Sequence, residues 1–195
     1  MNKEFLIESI EKADNHISKL SENEILHIQG FSSSKVKHLL NNICSFGDLN
    51  YLEIGLYKGS TFVSSLYRNK IKLAIGIDIR LDSDMEDNCK KYLVENEKYE
   101  LYEEDCFKFD LNNISNPIDI YLFDGDHSAI SQERAFMYYD SVLNDQFVAI
   151  VDDWNEEEVR SGTKNAFKKM GYQIMFEKEL RTAGNCETNT WWNGI

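Results

Sequence analysis

Hydrophobic positions along the chain follow a helical period at first and switch to short strand-like runs near residue 50. Leu6, Ile10, Ala13, Ile17 and Leu20 recur at helical spacing and predict one amphipathic helix. A second helix is expected to start near Ser33 or Ser34, either of which suits a cap, with Val36, Leu39, Leu40 and Ile43 as its apolar face. Strands are then expected at 50–54, 73–77, 99–102, 118–123 and 147–151, with helices at 60–67, 84–94 and 131–143. Asn155 is placed to cap a further helix whose first turn carries Glu156, Glu157 and Glu158 and which Gly171 ends. A sixth strand is expected from Tyr172 to Glu177, and a short last one at Thr190-Trp191-Trp192.

Strands alternating with helices predict an α/β fold, Rossmann-like and doubly wound, with a mostly parallel sheet and right-handed crossovers. A length of 195 residues suits one domain, and the single proline, Pro117, leaves no Pro-rich linker. Residues 1–45 read as an N-terminal helical extension and 46–195 as the ligand-binding part of the same domain. Ligands in such sheets lie beyond the carboxyl ends of the strands. The first five expected strands all end at or near Gly or Asp.

The first of these ends reads Glu53-Ile54-Gly55-Leu56-Tyr57-Lys58-Gly59-Ser60-Thr61. Its Gly-x-x-x-Gly spacing differs from the Gly-x-Gly-x-x-Gly of dinucleotide-binding turns, and no Gly-Lys-Ser/Thr follows to make a phosphate loop. Glycine allows positive φ and close approach of a ligand, and the helix start at Ser60 and Thr61 offers free N–H groups. The plainer reading is a tight strand-to-helix turn. Asp78, ending the second strand, is suited to accept from two vicinal ribose hydroxyls. Asp105, with the Cys106 N–H and the Phe107 ring, is suited to an adenine amino group, edge and face.

Residues 51–61, Ile75-Gly76-Ile77-Asp78 and Glu104-Asp105-Cys106 resemble the successive motifs of class I S-adenosylmethionine (SAM)-dependent methyltransferases. The resemblance covers roughly residues 50–155 and is nearest to small bacterial sugar O-methyltransferases. It implies a seven-stranded sheet whose antiparallel last strand, Thr190 to Asn193, inserts beside the fifth. It implies SAM as cofactor, held by Glu53, Gly55, Tyr57, Gly59, Ser60, Thr61, Asp78, Asp105, Cys106 and Asp124.

Two further segments carry acids, Phe123-Asp124-Gly125-Asp126-His127-Ser128 and Val151-Asp152-Asp153-Trp154-Asn155. If strands four and five are neighbours, Asp124, Asp152 and Asp153 converge, and such carboxylates repel one another unless protons or a cation intervene. Oxygen ligands favour a hard ion such as Mg²⁺, Mn²⁺ or Ca²⁺. The arrangement resembles catechol-type and macrolide-sugar-type metal-dependent O-methyltransferases, which implies a Mg²⁺ role for Asp124, Asp152 and Asp153. In the expected reaction a substrate hydroxyl on the metal loses its proton and attacks the sulfonium methyl. His127 is the first choice of base and Asp124 the second. The bland alternative is that Asp124, Asp126 and Asp153 cap turns and helices and that His127 is structural.

A formal net charge of −13 sets the surface against phosphate backbones, so nucleic acid is not an expected partner. No apolar run approaches the length of a membrane span, and no signal peptide is recognisable at Met1-Asn2-Lys3-Glu4, so a cytoplasmic location is expected. Cys44, Cys89, Cys106 and Cys186 form no Cys-x-x-Cys pair. The first 45 residues are expected to cover the site mouth or to join copies in a homo-oligomer, with residues 30–35 as a lid. Trp191 and Trp192 are candidates to stack on a small-molecule substrate, a sugar or aryl diol. The competing functions are a noncatalytic SAM-binding protein and a nicotinamide-dependent oxidoreductase, the latter lacking its glycine spacing.

Overall fold

The computed structural model describes residues 1–20, 25–93 and 98–195. Two helices, α1 (Lys3–Asp14) and α2 (Ser34–Cys44), precede β1 (Leu49–Ile54), α3 (Ser60–Leu66), β2 (Ile71–Asp78) and α4 (Ser83–Tyr92). Then come β3 (Tyr99–Glu103), β4 (Ile118–Phe123), α5 (Ala129–Tyr139), β5 (Leu143–Val151) and α6 (Glu157–Met170). The five strands form one parallel sheet in the order β3-β2-β1-β4-β5.

The middle strand, β1, is buried along its whole length, which matches its apolar run and its place between β2 and β4. Alternate side chains face opposite layers. Tyr51, Ala74, Ile120 and Leu122 pack with α2 and α3 residues such as Leu39, Leu40, Phe62 and Val63. Leu52, Ile75, Tyr121 and Phe123 pack with Phe136, Tyr139, Val159 and Ala166 of α5 and α6. Order reverses between β1 and β4, because the chain winds outward to β3 and then returns to the other side. Crevices at such reversals are where parallel sheets bind ligands. Among the described residues no helix is long and apolar enough to cross a membrane.

Several expectations need correction. The sheet has five strands rather than seven, and no antiparallel last strand is present among the described residues. Tyr172 to Glu177 is not a strand: Ile174 and Met175 are both exposed, so neither alternate face finds a core to cover. Thr190 to Trp192 forms turns with a single antiparallel bridge from Glu187 to Trp192. The tail pairs instead with the β5–α6 junction, where Trp154 N–H donates to Gly194 O at 3.1 Å and Asn155 N–H to Asn193 O at 2.8 Å.

The first helix stops at Asp14, not Leu20, as His16 takes a left-handed φ of 56°. Helix α5 starts at Ala129, capped by Ser128, and stops at Tyr139; β5 extends back to Leu143. Helix α4 ends at Tyr92, and Val94, its expected last residue, lies outside the described residues. Residue Asn155 does not cap α6; Glu156 occupies that position without a side-chain cap bond. The Asn155 amide donates instead to Thr182 Oγ1 and Asn185 Oδ1, both at 2.8 Å.

Candidate active site

The register aligns Ile54 with Ile77 and with Phe123, and Phe123 with Val151, so Gly55, Asp78, Asp124 and Asp152 leave the sheet along one edge. Gly55 has φ +87°, and a Cβ there would lie 1.8 Å from the Asp124 carbonyl oxygen. That contact closes the β1 and β4 ends against each other and requires glycine. Three left-handed residues in five, Gly55, Tyr57 (φ 46°) and Gly59 (φ 78°), curl the loop so that backbone N–H groups point inward. Leu56 N–H and Tyr57 N–H donate to Asp78 Oδ2 at 2.7 and 3.0 Å. Asp78 Oδ1 accepts from Arg80 N–H at 3.1 Å, and the residue stays half-buried. The anion in this backbone nest is therefore the protein's own Asp78.

Glu53 lies beneath the loop, fully buried. Its Oε1 accepts from Thr61 Oγ1 at 2.5 Å and its Oε2 from the Tyr51 hydroxyl, which also contacts Ser65 Oγ at 3.1 Å. Burial pushes the Glu53 carboxyl up to about 8 against the pull of the two hydroxyls, with Asp124 and Asp78 adding to the rise. Glu53 and Thr61 thus brace β1 against α3. Ser60 is buried with Oγ unpartnered, and a Cβ on Gly30 would come within 2.4 Å of its Cβ. The segment before α2 is laid over this corner. Phe31 stacks on Tyr57 at 5.0 Å between centroids, and Lys58 donates to Gln29 Oε1 at 3.0 Å.

On the β3 side, Glu104 N–H donates to Asp78 O at 2.8 Å, which sets Asp105 just past the β2 terminus. Asp105 Oδ1 accepts from Phe107 N–H at 2.9 Å, and that bond, with Lys108, holds its carboxyl below the ordinary value. Cys106 is half-buried, and its carbonyl accepts from Tyr139 OH at 2.7 Å. The Arg134 guanidinium lies 4.2 Å from the Phe107 ring centroid, so one face of that ring is already covered.

Beyond β4 and β5 the acids do converge. Ligand atoms of Asp124, His127 and Asp153 lie within 4.8 Å of one another. His127 Nε2 is 2.8 Å from Asp153 Oδ2, and Nδ1 is 3.2 Å from Glu156 Oε1. Burial alone would lower the His127 pKa, but Asp153, Glu156 and Asp124 outweigh it and hold the value above the ordinary one. Asp124 is pushed up to about 7, by burial first and then by Asp153. Asp152 is also buried and is raised well above the carboxylate range by burial, Asp124 and Asp153. Its Oδ1 has no partner. Asp153 is buried in the left-handed region at φ 56°, a strained conformation for a non-glycine residue.

The structure thus groups Asp124, Asp153 and His127, while Asp152, expected as a third metal ligand, is buried next to Asp153 and interacts electrostatically with Asp124 and Asp153. Sequence reasoning missed Glu156, which it gave only a helix-start role, and Asn193, which it placed in a strand. Neither lies in a local motif that marks it. Asp126 caps its own turn, accepting from Ser128 N–H at 3.1 Å. Trp191 is buried against the core, with Lys35 Nζ 5.6 Å from its ring centroid, so it is not an exposed stacking platform.

No family model matches the chain. An uncharacterized protein of Acanthamoeba polyphaga mimivirus is 30% identical over 131 residues, 61% of this chain and 59% of that protein. The chain therefore spans less than two thirds of the length of this curated relative. Among solved structures, an O-methyltransferase from Bacillus cereus in complex with SAH superposes with TM-score 0.60 at 14% identity, over 100% of this chain and 89% of that one. The precorrin 8w decarboxylase of Methanobacterium thermoautotrophicum gives TM-score 0.60 at 15% identity, over 75% and 76%. The SAH-bound methyltransferase of Podospora anserina gives TM-score 0.52 at 15% identity, over 87% and 78%. The chain has the α/β Rossmann-like fold of these proteins.

Proposed function

We propose that this chain is a SAM-dependent O-methyltransferase that acts on a small hydroxylated molecule, a sugar or aryl diol, with a divalent cation. One observation carries the reading: the Asp124–His127–Asp153 group lies beside the Gly55 turn, at the reversal of strand order. The fold shared with SAH-bound methyltransferases supports SAM as the ligand of that crevice. The net charge of −13 favours a small acceptor over nucleic acid.

The residues fit both groups. Asp78 keeps one acceptor position on Oδ1 for a ribose hydroxyl, and the Ser60 Oγ at the start of α3 has no partner. The Asp124 and Asp153 carboxylates suit Mg²⁺ or Mn²⁺, and the raised pKa of Asp152, set by burial first and then by Asp124 and Asp153, reflects the crowding of acids there. When bound, a divalent cation on Asp124 and Asp153 supplies the charge that acidifies a coordinated hydroxyl. In its neutral form His127 would take up the hydroxyl proton, and the resulting imidazolium would be held between Asp153, which faces Nε2, and Glu156, which faces Nδ1. The loop and the strand ends align donor and acceptor, a proximity contribution.

The test pairs calorimetry with transfer of labelled methyl from SAM to catechol and to a set of sugars, with Mg²⁺ or with EDTA. SAM binding, Mg²⁺-dependent transfer and a loss of about 100-fold or more in Asp153→Ala are expected. Absence of SAM binding overturns the methyltransferase reading. Transfer indifferent to EDTA and to Asp153→Ala overturns the cation alone.

A further inference from the structure

The C-terminal segment 180–195 returns over the β5–α6 junction. Leu180 and Ile195 exchange backbone bonds at 2.9 and 3.2 Å, and Gly194 O and Asn193 O accept from Trp154 and Asn155 N–H. Thr182 N–H donates back to Asn155 Oδ1 at 3.2 Å. This strap brings one side chain to the acidic group. Asn193 Nδ2 donates to Asp153 Oδ1 at 2.5 Å, while Asp153 Oδ2 faces His127. The rest of Asn193 is itself fixed: its Oδ1 accepts from Cys186 N–H at 2.8 Å and from Cys186 Sγ at 3.6 Å.

A carboxylate with two oxygens and a strained backbone has more than one orientation unless a partner selects it. Here the strap supplies that partner from 40 residues away along the chain. We propose that Asn193 is a positioning residue: its amide pins Oδ1 of Asp153 and so presents Oδ2 to the cation. The inference rests on the cation reading above. Groups that hydrogen-bond a ligating carboxylate in this way set metal affinity by about 10–100-fold.

The experiment titrates Mn²⁺ into the full chain, following the free-ion electron paramagnetic resonance signal, with SAM binding measured beside it. Asn193→Ala and Asn193→Ser each remove the amide. Thr182→Val loosens the strap without touching Asp153, since Thr182 bonds Asn155, Gly184 O and Trp192 O. The expected result is Mn²⁺ binding weakened about tenfold or more in either Asn193 variant that folds, with SAM affinity kept, and a smaller loss in Thr182→Val. Equal Mn²⁺ affinity in the Asn193 variants, or equal weakening in Thr182→Val, overturns the positioning role and leaves the cation reading standing. If the unsubstituted protein binds no Mn²⁺, the cation reading falls and this inference falls with it.

Discussion

Replacing Glu53 by Gln tests the polar brace beneath the loop. The carboxyl is buried and titrates at about 8, against 4.5 for an ordinary glutamate. Its folded pKa lies above its unfolded one, so the folded protein holds an extra proton between these values. The corresponding stability is fully present below pH 4.5 and is lost as pH rises through about 8. From pH 5 to pH 8 the loss works out at about 3 kcal/mol, taking 1.36 kcal/mol per pKa unit. Gln cannot titrate, yet it keeps an oxygen for the Thr61 hydroxyl and offers an N–H₂ to the Tyr51 oxygen, whose proton can turn to Ser65. Urea unfolding of both proteins at pH 5 and at pH 8 gives the double difference directly. Glu53→Gln should gain about 3 kcal/mol relative to the native protein between these two values. Acids remote from Glu53 titrate equally in both chains and cancel, and its coupling to Asp124, Asp78 and Asp152 is secondary to burial. Parallel stability-against-pH curves would refute the claim that this carboxyl is neutral in the folded protein at moderate pH.

Two further substitutions probe the same layer. Gly55→Ala puts a methyl 1.8 Å from the Asp124 carbonyl at φ +87°, so it should lower the thermal midpoint by well over 4 °C and abolish SAM binding, read by scanning calorimetry and titration. Lys37 is buried with Nζ bonded to Leu26 O and Ile28 O at 3.0 Å, and burial lowers its pKa to about 8 from 10.5. Here the unfolded chain binds the extra proton, so stability from this group rises between pH 8 and pH 10.5. Relative to Lys37→Met, the native protein should gain about 2 kcal/mol from pH 7 to pH 10 in denaturant titrations, and no gain would show that Nζ keeps its ordinary pKa.

What could be read in advance follows from how much of the signal is local. Strands β1, β2 and β4 sit inside the sheet, so their apolar runs are dictated by burial on both faces, and their ends were legible to within a residue or two. The acids at those ends were legible because a parallel sheet sends every strand out at one edge. Tyr172 to Glu177 misled because an alternating pattern predicts a strand only where a sheet edge accepts it, and here Tyr172 packs on Phe147 and Phe167 instead. The cap expected of Asn155 failed for a related reason: its amide is claimed by Thr182 and Asn185, some 30 residues onward. Glu53 shows the limit for chemistry, since the spacing that marks it as part of a cofactor loop does not reveal that Tyr51 and Thr61 close over it. Nor does anything near Asp153 in sequence announce Asn193.

The concentration of acids at this edge has an architectural basis. Strands β1, β4 and β5 each run into a helix, so the starts of α3, α5 and α6 gather at the same edge as Asp78, Asp124 and Asp153. Helix starts carry unpaired N–H groups and partial positive charge, and such a field lets carboxylates collect that would otherwise repel. The compensation is incomplete. Asp78 is satisfied by loop N–H groups, whereas Glu53, despite its two hydroxyl partners, stays raised with Asp124 and Asp152, and of these Asp152 keeps an orphaned oxygen. The unpartnered acid oxygen thus lies on the β4–β5 side, at Asp152, while Ser60, on the β1 side, keeps an unpartnered hydroxyl. A ligand lying across the reversal of strand order would answer both, with a sulfonium or metal charge at one end and polar groups at the other. Dinucleotides bring phosphate negative charge to such crevices, so this distribution favours the sulfonium cofactor over a nicotinamide one.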